Sequence, residues 1–265
     1  MEDFFGLHIK ASSLYNHEEP LPEVRRQLLC SGHPYLVEKE YRYKGYGMEL
    51  FQAAKLKSVS SPSQNRVGYG VQNMLEKYEK RGAESQWLTS RFDIHLPSAF
   101  KALDQVPTSP LYRAQTIDKV DPQALSDYDT VVFGYQRHTF LHKFLRTQGS
   151  HARVAINSKG VIVGYTAARV AFNKEEGYRL GPLYADSLEI AMMLLKALFG
   201  EMLEEGWSSS PSVWVDIPVG KNTEAKKLIE LLDGKVVFNM TLMATKEIQK
   251  GSFKNWFAIM SPEFG

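Results

Sequence analysis

Cysteine is almost absent from this chain of 265 residues: Cys30 is the single one. It has no partner within the chain, so no internal disulfide framework holds the fold and a reducing compartment is expected. Long apolar runs are missing too. No stretch approaches the roughly 18 apolar residues of a membrane-spanning helix, and the acidic start Met1-Glu2-Asp3-Phe4 lacks a signal-peptide pattern. Charge of one sign is lacking, with 32 Lys+Arg against 30 Asp+Glu for a net +2. Bulk electrostatics therefore give no reason to expect a nucleic-acid partner. The seven histidines show no His-x-x-x-His or Cys/His ligand spacing. His138 and His142 stand one helical turn apart without an obvious third ligand, and no metal site is expected. What remains is a soluble, cytoplasmic, globular α/β protein with enough apolar residues (43%) to bury a core.

The richest local signal is Tyr41-Arg42-Tyr43-Lys44-Gly45-Tyr46-Gly47, an Arg-x-x-Gly-x-Gly run between the short apolar stretch Pro34 to Val37 and helix-forming residues from Met48. Gly45 and Gly47 tolerate positive φ and let a ligand approach the backbone. Consecutive N–H groups and the start of a helix then suit an anion, with Arg42 and Lys44 to offset its charge. A plain turn is the competing reading. The Rossmann pattern fails because Leu50 stands at its third glycine, and no Gly-Lys-Ser/Thr follows to make a Walker loop.

Further along, Val67 to Gly70 and Trp87 to Leu96 read as strands, and Gln72 to Arg81 as a helix stopped by Gly82. Four prolines in 97–127 suggest a linker or a long crossing segment. The organisation read from this is a unit over 1–98, a linker over 99–127 and a second unit over 128–265. In the second unit, Ala152 to Ile156 and Val161 to Val170 form a hairpin around Asn157-Ser158-Lys159-Gly160. Leu188 to Leu203 is a buried helix. Ser212 to Ile217 and Lys235 to Ala244 are strands flanking a helix from Thr223; Asn222 reads as its cap, with lining a pocket as the alternative. Phe253 to Met260 is a last strand. Gly181-Pro182 reads as a turn, and Asp216 can line a pocket. Both halves follow one order of elements, which suggests an internal duplication.

Taken together, the loop, the segment Tyr78-Glu79-Lys80-Arg81-Gly82-Ala83, the stretch Gly177 to Asp186, and Val215-Asp216-Ile217-Pro218 ahead of Asn222 resemble the GNAT superfamily of acyl-CoA N-acyltransferases. The end Met260-Ser261-Pro262-Glu263-Phe264-Gly265, with Arg137 and Arg169 upstream, is similar to tandem members whose second domain is divergent. The resemblance covers roughly 33–265. Ala83 stands where Phe is usual, and Leu242 where related tandem proteins tend to carry Arg. The implied fold is α/β: two GNAT-like mixed-sheet layers in tandem, the first N-terminally truncated because its cofactor loop arrives already at residue 42.

The activity implied by the resemblance is transfer of an acetyl group from acetyl-CoA to an amine of a small-molecule or amino-acid-like acceptor. The implied coenzyme contacts are Leu36 and Val37, whose backbone would pair with pantetheine amides, and Arg42, Tyr43, Lys44, Gly45, Tyr46 and Gly47, which would hold the pyrophosphate. Tyr78 takes the position of the acid that protonates the leaving thiolate. The base stays open among Glu38, Glu40 and His33, with Glu38 placed first. A non-catalytic coenzyme-A-binding or regulatory protein of the same fold is the alternative. The second half lacks the glycine run and is not expected to hold a second coenzyme in the usual way.

Overall fold

The computed structural model describes residues 30–31, 39–58, 65–171, 175–206, 209–248 and 251–262. In chain order the elements are β1 (Cys30–Ser31), α1 (Tyr46–Ser58), β2 (Arg66–Val71), α2 (Leu75–Glu79), β3 (Glu84–His95), α3 (Leu96–Asp104), β4 (Tyr112–Thr116), α4 (Pro122–Phe133), α5 (His138–Leu145) and β5 (Ser150–Asn157). They continue with β6 (Ile162–Val170), β7 (Tyr178–Ala185), α6 (Leu188–Glu205), β8 (Ser212–Pro218), α7 (Thr223–Leu231), β9 (Lys235–Ala244) and β10 (Trp256–Ala258). No helix among the described residues is long and apolar enough to cross a membrane.

The strands among the described residues join one mixed sheet in the order β1-β2-β9-β3-β8-β7-β6-β5-β4, with β10 on β7. Among these residues only β1 with β2, and β7 with β8, run parallel. Each parallel pair is bridged by a helix, α1 in the first case and α6 in the second. Each pair is followed by a short helix and one more strand, so the series β1-α1-β2-α2-β3 repeats as β7-α6-β8-α7-β9. The shared order seen in sequence is therefore a real repeat of element type. The last strands of the two series are exchanged. β3 pairs antiparallel with β8 from Thr89↔Pro218 to His95↔Ser212, and β9 pairs with β2 from Val67↔Ala244 to Val71↔Met240. β3 and β9 also pair with each other at the centre. The sheet thus crosses the halves of the sequence without a break.

Local chemistry explains the ends of the elements. Asp121 accepts from the Gln123 N–H (3.1 Å), Pro122 opens α4, and Gly134 closes it at φ +96 with its N–H on the Thr130 carbonyl (2.9 Å). Ser187 caps α6 through the Ile190 N–H (3.3 Å), and Gly206 ends it at φ +63. Asn222 caps α7 through the Glu224 N–H (2.9 Å), as its sequence position suggests. In the β5–β6 turn the Asn157 carboxamide accepts from the N–H groups of Lys159 and Val161 (2.9 and 3.0 Å).

Two expectations are corrected here. Residues 97–127 are not a bare linker; they hold most of α3, all of β4 and the start of α4. Pro97 and Pro122 sit in the first turn of a helix, where the missing N–H costs nothing, so they start helices rather than interrupt structure. Gly181-Pro182 is not a turn. It lies inside β7, all of whose residues are buried, with a cis peptide between the two.

The core is split by the sheet. On one face α3, α6 and α7 pack Leu103, Leu194, Leu198 and Leu228 against Ile94, Leu180 and Val215. On the other, α4 and α5 pack Leu125, Leu141 and Leu145 against Val154, Tyr165, Tyr184 and Trp256. Tyr69 and Trp87 from the first half join this second cluster, so apolar packing as well as strand pairing ties the halves together.

Candidate functional site

The run Arg42 to Gly47, expected to cradle an anion, lies in the chain between β1 and β2, the two strands of the first parallel pair. Backbone register brings Cys30 opposite Arg66 and Ser31 opposite Val67. A 3-10 turn (Lys39–Tyr41), the turn through Arg42 to Gly45, and the first residues of α1 follow. Gly45 adopts φ +92 and an added Cβ would meet nothing within 4 Å, so the glycine serves backbone conformation and not tight packing. Its carbonyl accepts from the N–H groups of Met48 (2.8 Å) and Glu49 (3.2 Å), which fixes the start of α1. Arg42, Tyr43, Lys44, Gly45 and Tyr46 are exposed and Gly47 half-buried. Tyr43 takes φ +64, and the Lys44 ammonium lies 5.5 Å from the Tyr41 ring. The positive end of a helix dipole, open backbone and two cationic side chains therefore share one exposed turn.

Tyr78 lies on α2, the short helix that follows β2. The Tyr78 ring is half-buried beside Gly70 of β2; a Cβ there would come within 3.0 Å of its Cδ2 and 2.9 Å of Met243 Sδ. Gly82 closes this helical stretch at φ +82, as its position suggests. Leu36, Val37, Glu38 and His33 lie outside the described residues. Glu40 is exposed in the 3-10 turn.

The second parallel pair is arranged differently. β7 and β8 pair only at Tyr178↔Val213, Arg179↔Trp214 and Leu180↔Val215, and then part. The gap is filled by the chain itself. β10 pairs with β7 at Trp256↔Tyr184 and Ala258↔Leu183, while the Ile259 N–H donates to the Asp216 carbonyl of β8 (3.0 Å). Residues 256–261 are buried throughout. A Cβ on Gly181 would stand 2.2 Å from the Ile259 carbonyl oxygen and 2.5 Å from that of Met260, so glycine is what lets this segment lie flat in the wedge.

At the mouth of this wedge the turn into α6 carries Asp186. Its Oδ1 accepts from Tyr128 Oη (2.9 Å) and Asn255 Nδ2 (2.8 Å). Burial raises its pKa, against the lowering effect of those hydrogen bonds and of Lys254. Beneath it lies a buried ionic knot. Asp129 receives both Nε and Nη2 of Arg137 at 2.8 Å, and Tyr165 Oη donates to the same carboxylate at 2.5 Å. Arg137 also lies 3.6 Å from the Phe133 ring centre and 3.8 Å from Met260 Sδ, which links the knot to the inserted segment. Burial, reinforced by the Asp129 charge, pushes the Tyr165 phenol well up, and burial pushes Tyr184 up to about 12. Both phenols stay protonated at any physiological pH; Tyr165 Oη donates to Asp129, and Tyr184 Oη accepts from Arg137 Nη2 (3.5 Å).

Arg137 was legible in the sequence; its partners Asp129, Tyr165 and Tyr184 were not, because they come from three separate elements. Asp216 does not line an open pocket. It is buried, bound by Arg91 through two contacts (2.8 and 2.9 Å) and by Arg179 at 3.4 Å.

With this geometry in place, comparison with known proteins is specific. Residues 125–257 match the family described as an acetyltransferase (GNAT) domain. The chain belongs to the GNAT acetyltransferase family. A protein named holothin acyltransferase from a Pseudoalteromonas strain is 30% identical over 196 residues, covering 70% of this chain and 60% of that protein. An uncharacterized protein of Caenorhabditis elegans is 25% identical over 173 residues, 64% of this chain and 54% of its own length. The chain thus spans between half and two thirds of these curated relatives. Among solved structures, a putative acetyltransferase from Pyrococcus horikoshii aligns with TM-score 0.62 at 18% identity, over 86% of this chain and 69% of that one. A tandem GNAT protein from the clavulanic acid biosynthesis pathway aligns with TM-score 0.60 at 15% identity, over 83% and 76%. These two likenesses are of fold.

Proposed function

We propose that this protein is an N-acetyltransferase that uses acetyl-CoA as donor and an amine of a small-molecule or amino-acid-like compound as acceptor, with the coenzyme held by the first half. The observation that carries this reading is the contrast between the two parallel pairs. The first has an exposed, glycine-containing turn at the start of α1, with Tyr78 following the partner strand. The second has its wedge filled by residues 256–261 and a carboxylate, Asp186, at the turn. Family membership and a relative named for acylating holothin support acyl transfer.

The exposed turn fits a pyrophosphate. Gly45 leaves the approach free of side chain, and Arg42 and Lys44 bring charge, while the start of α1 supplies N–H groups. Bound coenzyme would supply an acyl thioester, and the remaining steps fall to this chain. A carboxylate such as Glu38 would take the proton of the acceptor ammonium, directly or through water. Tyr78 would donate its phenol proton to the departing thiolate.

The test is calorimetric titration with acetyl-CoA followed by a thiol-release assay over an amine panel. Binding with amine-dependent thiol release is the expected result. Failure to bind at millimolar coenzyme would refute the reading. Binding without turnover would favour the non-catalytic coenzyme-binding alternative.

A further inference from the structure

We propose that His151, Glu201 and Glu205 form a binding site for one first-row divalent transition-metal ion, at the end of α6 remote from Asp186. Glu201 and Glu205 stand one helical turn apart on the last turns of α6, and His151 faces them from the start of β5. His151 Nδ1 lies 3.4 Å from Glu201 Oε1 and 3.8 Å from Glu205 Oε2. One ligand atom from each residue falls within 4.8 Å of the other two. These separations exceed the about 2.7–3.2 Å of an N–H···O hydrogen bond. The 3.4 Å between His151 and Glu201 equals an edge of a tetrahedral site, whose ligands about 2.1 Å from an ion stand about 3.4 Å apart, and the 3.8 Å between His151 and Glu205 is longer than that edge.

The surroundings fit a cation in three further ways. His151 is 3% exposed while the Glu201 and Glu205 side chains are 22% and 44% exposed, so the imidazole anchors the site from inside and its solvent side stays open for water ligands. Arg153, two residues along β5, pairs with the other oxygen of Glu201, Oε2, and donates to the Ala152 carbonyl (3.0 Å). It thereby holds the Glu201 carboxylate with Oε1 turned to His151, the part an outer-sphere partner plays at a metal centre. Lastly, α6 ends in Glu201, Glu204 and Glu205 with no basic residue in its last turn. Carboxylates at the negative end of a helix dipole repel it; a bound cation removes that penalty and ties the end of α6 to β5.

The donor set is one imidazole nitrogen and carboxylate oxygens without thiolate, which suits zinc, manganese, iron(II) or nickel and not soft copper(I). The other histidine pair is a poorer candidate. His142 Nε2 meets Ser126 Oγ (3.0 Å) and the Pro122 carbonyl (3.1 Å), and its Nδ1 meets Arg146 (2.9 Å), so both ring nitrogens are already engaged.

The experiment uses the full chain without an affinity tag, stripped with chelator and titrated with Zn²⁺ by calorimetry, with bound metal counted by emission spectroscopy. The expected result is one ion per chain at micromolar affinity or tighter, with a rise in the thermal midpoint on adding Zn²⁺. Glu205→Gln keeps size and hydrogen bonding at a half-exposed position and should leave the apo midpoint in place. It should weaken Zn²⁺ binding by about tenfold or more and abolish the midpoint rise. His151→Gln should lose binding outright. Absence of Zn²⁺ binding at millimolar metal overturns the proposal. So does binding that survives Glu205→Gln and His151→Gln but is lost in His138→Gln or His142→Gln.

Discussion

Arg91 of β3 and Asp216 of β8 stand opposite each other in register and join through a two-pronged ion pair, Nε to Oδ1 at 2.8 Å and Nη2 to Oδ2 at 2.9 Å. One residue comes from the first half of the sequence and the other from the second. Arg179 of β7 shares Oδ2 at 3.4 Å. The pair therefore sits where the exchanged strand β3 is locked into the sheet beside the β7–β8 wedge.

Removing Asp216 leaves two guanidinium groups without their shared anion in a mostly buried setting. Asp216→Asn should destabilise the fold by about 2–4 kcal/mol. Arg91→Met, which leaves Arg179 to satisfy the carboxylate, should cost less. Denaturant unfolding of both variants checks the order, and equal effects would show that Asp216 relies on Arg91 alone.

The inserted segment should respond to Gly181. An alanine Cβ there meets backbone oxygens of Ile259 and Met260 at 2.2 and 2.5 Å, and backbone cannot swing aside as a side-chain tip can. Gly181→Ala should lower stability by about 3 kcal/mol. It should also speed amide exchange in residues 256–260 more than in α4. Uniform exchange across both regions would mean that the wedge is not held by this contact.

Coenzyme binding should be confined to the first half and be one per chain. Gly45→Asp should abolish it by charge repulsion with phosphate. Gly45→Ala has free space for its Cβ and faces only the strain of φ +92, about 1 kcal/mol. It should weaken binding only modestly. Titration with acetyl-CoA separates the cases; unchanged affinity in Gly45→Asp would remove this turn from the coenzyme site.

Tyr78→Phe keeps the ring that packs beside Gly70 and removes the proton. The expected outcome is kcat lower by on the order of 10²–10⁴ with coenzyme affinity retained. A loss of affinity with kcat intact would give Tyr78 a packing role only.

Asp186 sets a pH dependence. Burial raises its pKa in the folded state, so the native protein binds more protons than the unfolded chain between the ordinary and the raised value. Stability therefore falls as pH climbs through that window, and below it the group contributes nothing. Asp186→Asn, whose carbonyl oxygen can still accept from Tyr128 and Asn255, should gain stability relative to the wild type at pH 7 and not at pH 3. A gap of the same size at both would rule out this titration as its source.

How much of this was legible in the chain depended on range. Asn222 as a cap, Gly82 as a stop, the Asn157 turn and the bounds of β9 are written in a few adjacent residues, and they appear as read. The glycine run before α1 is equally local. The prolines of 97–127 misled because the same residue that breaks a helix interior begins a helix well, and only the flanking residues tell the two apart. Gly181-Pro182 misled for a related reason: two turn-forming residues lie in a buried strand because another segment of chain, eighty residues on, needs the space that glycine leaves.

The sequence by itself determined the family, the order of elements, the repeat of strand, helix and strand in each half, and the place of the glycine-containing turn before α1. Those follow from propensity, capping and short motifs, which act over a few residues. Only the tertiary structure decided that the halves exchange β3 and β9, that Asp129 meets Arg137 and Tyr165, that His151 faces Glu201 and Glu205, and that residues 256–261 close the second wedge. Each of these is a contact between segments far apart in the chain, chosen by burial and strand pairing, for which no local pattern in the sequence carries the information.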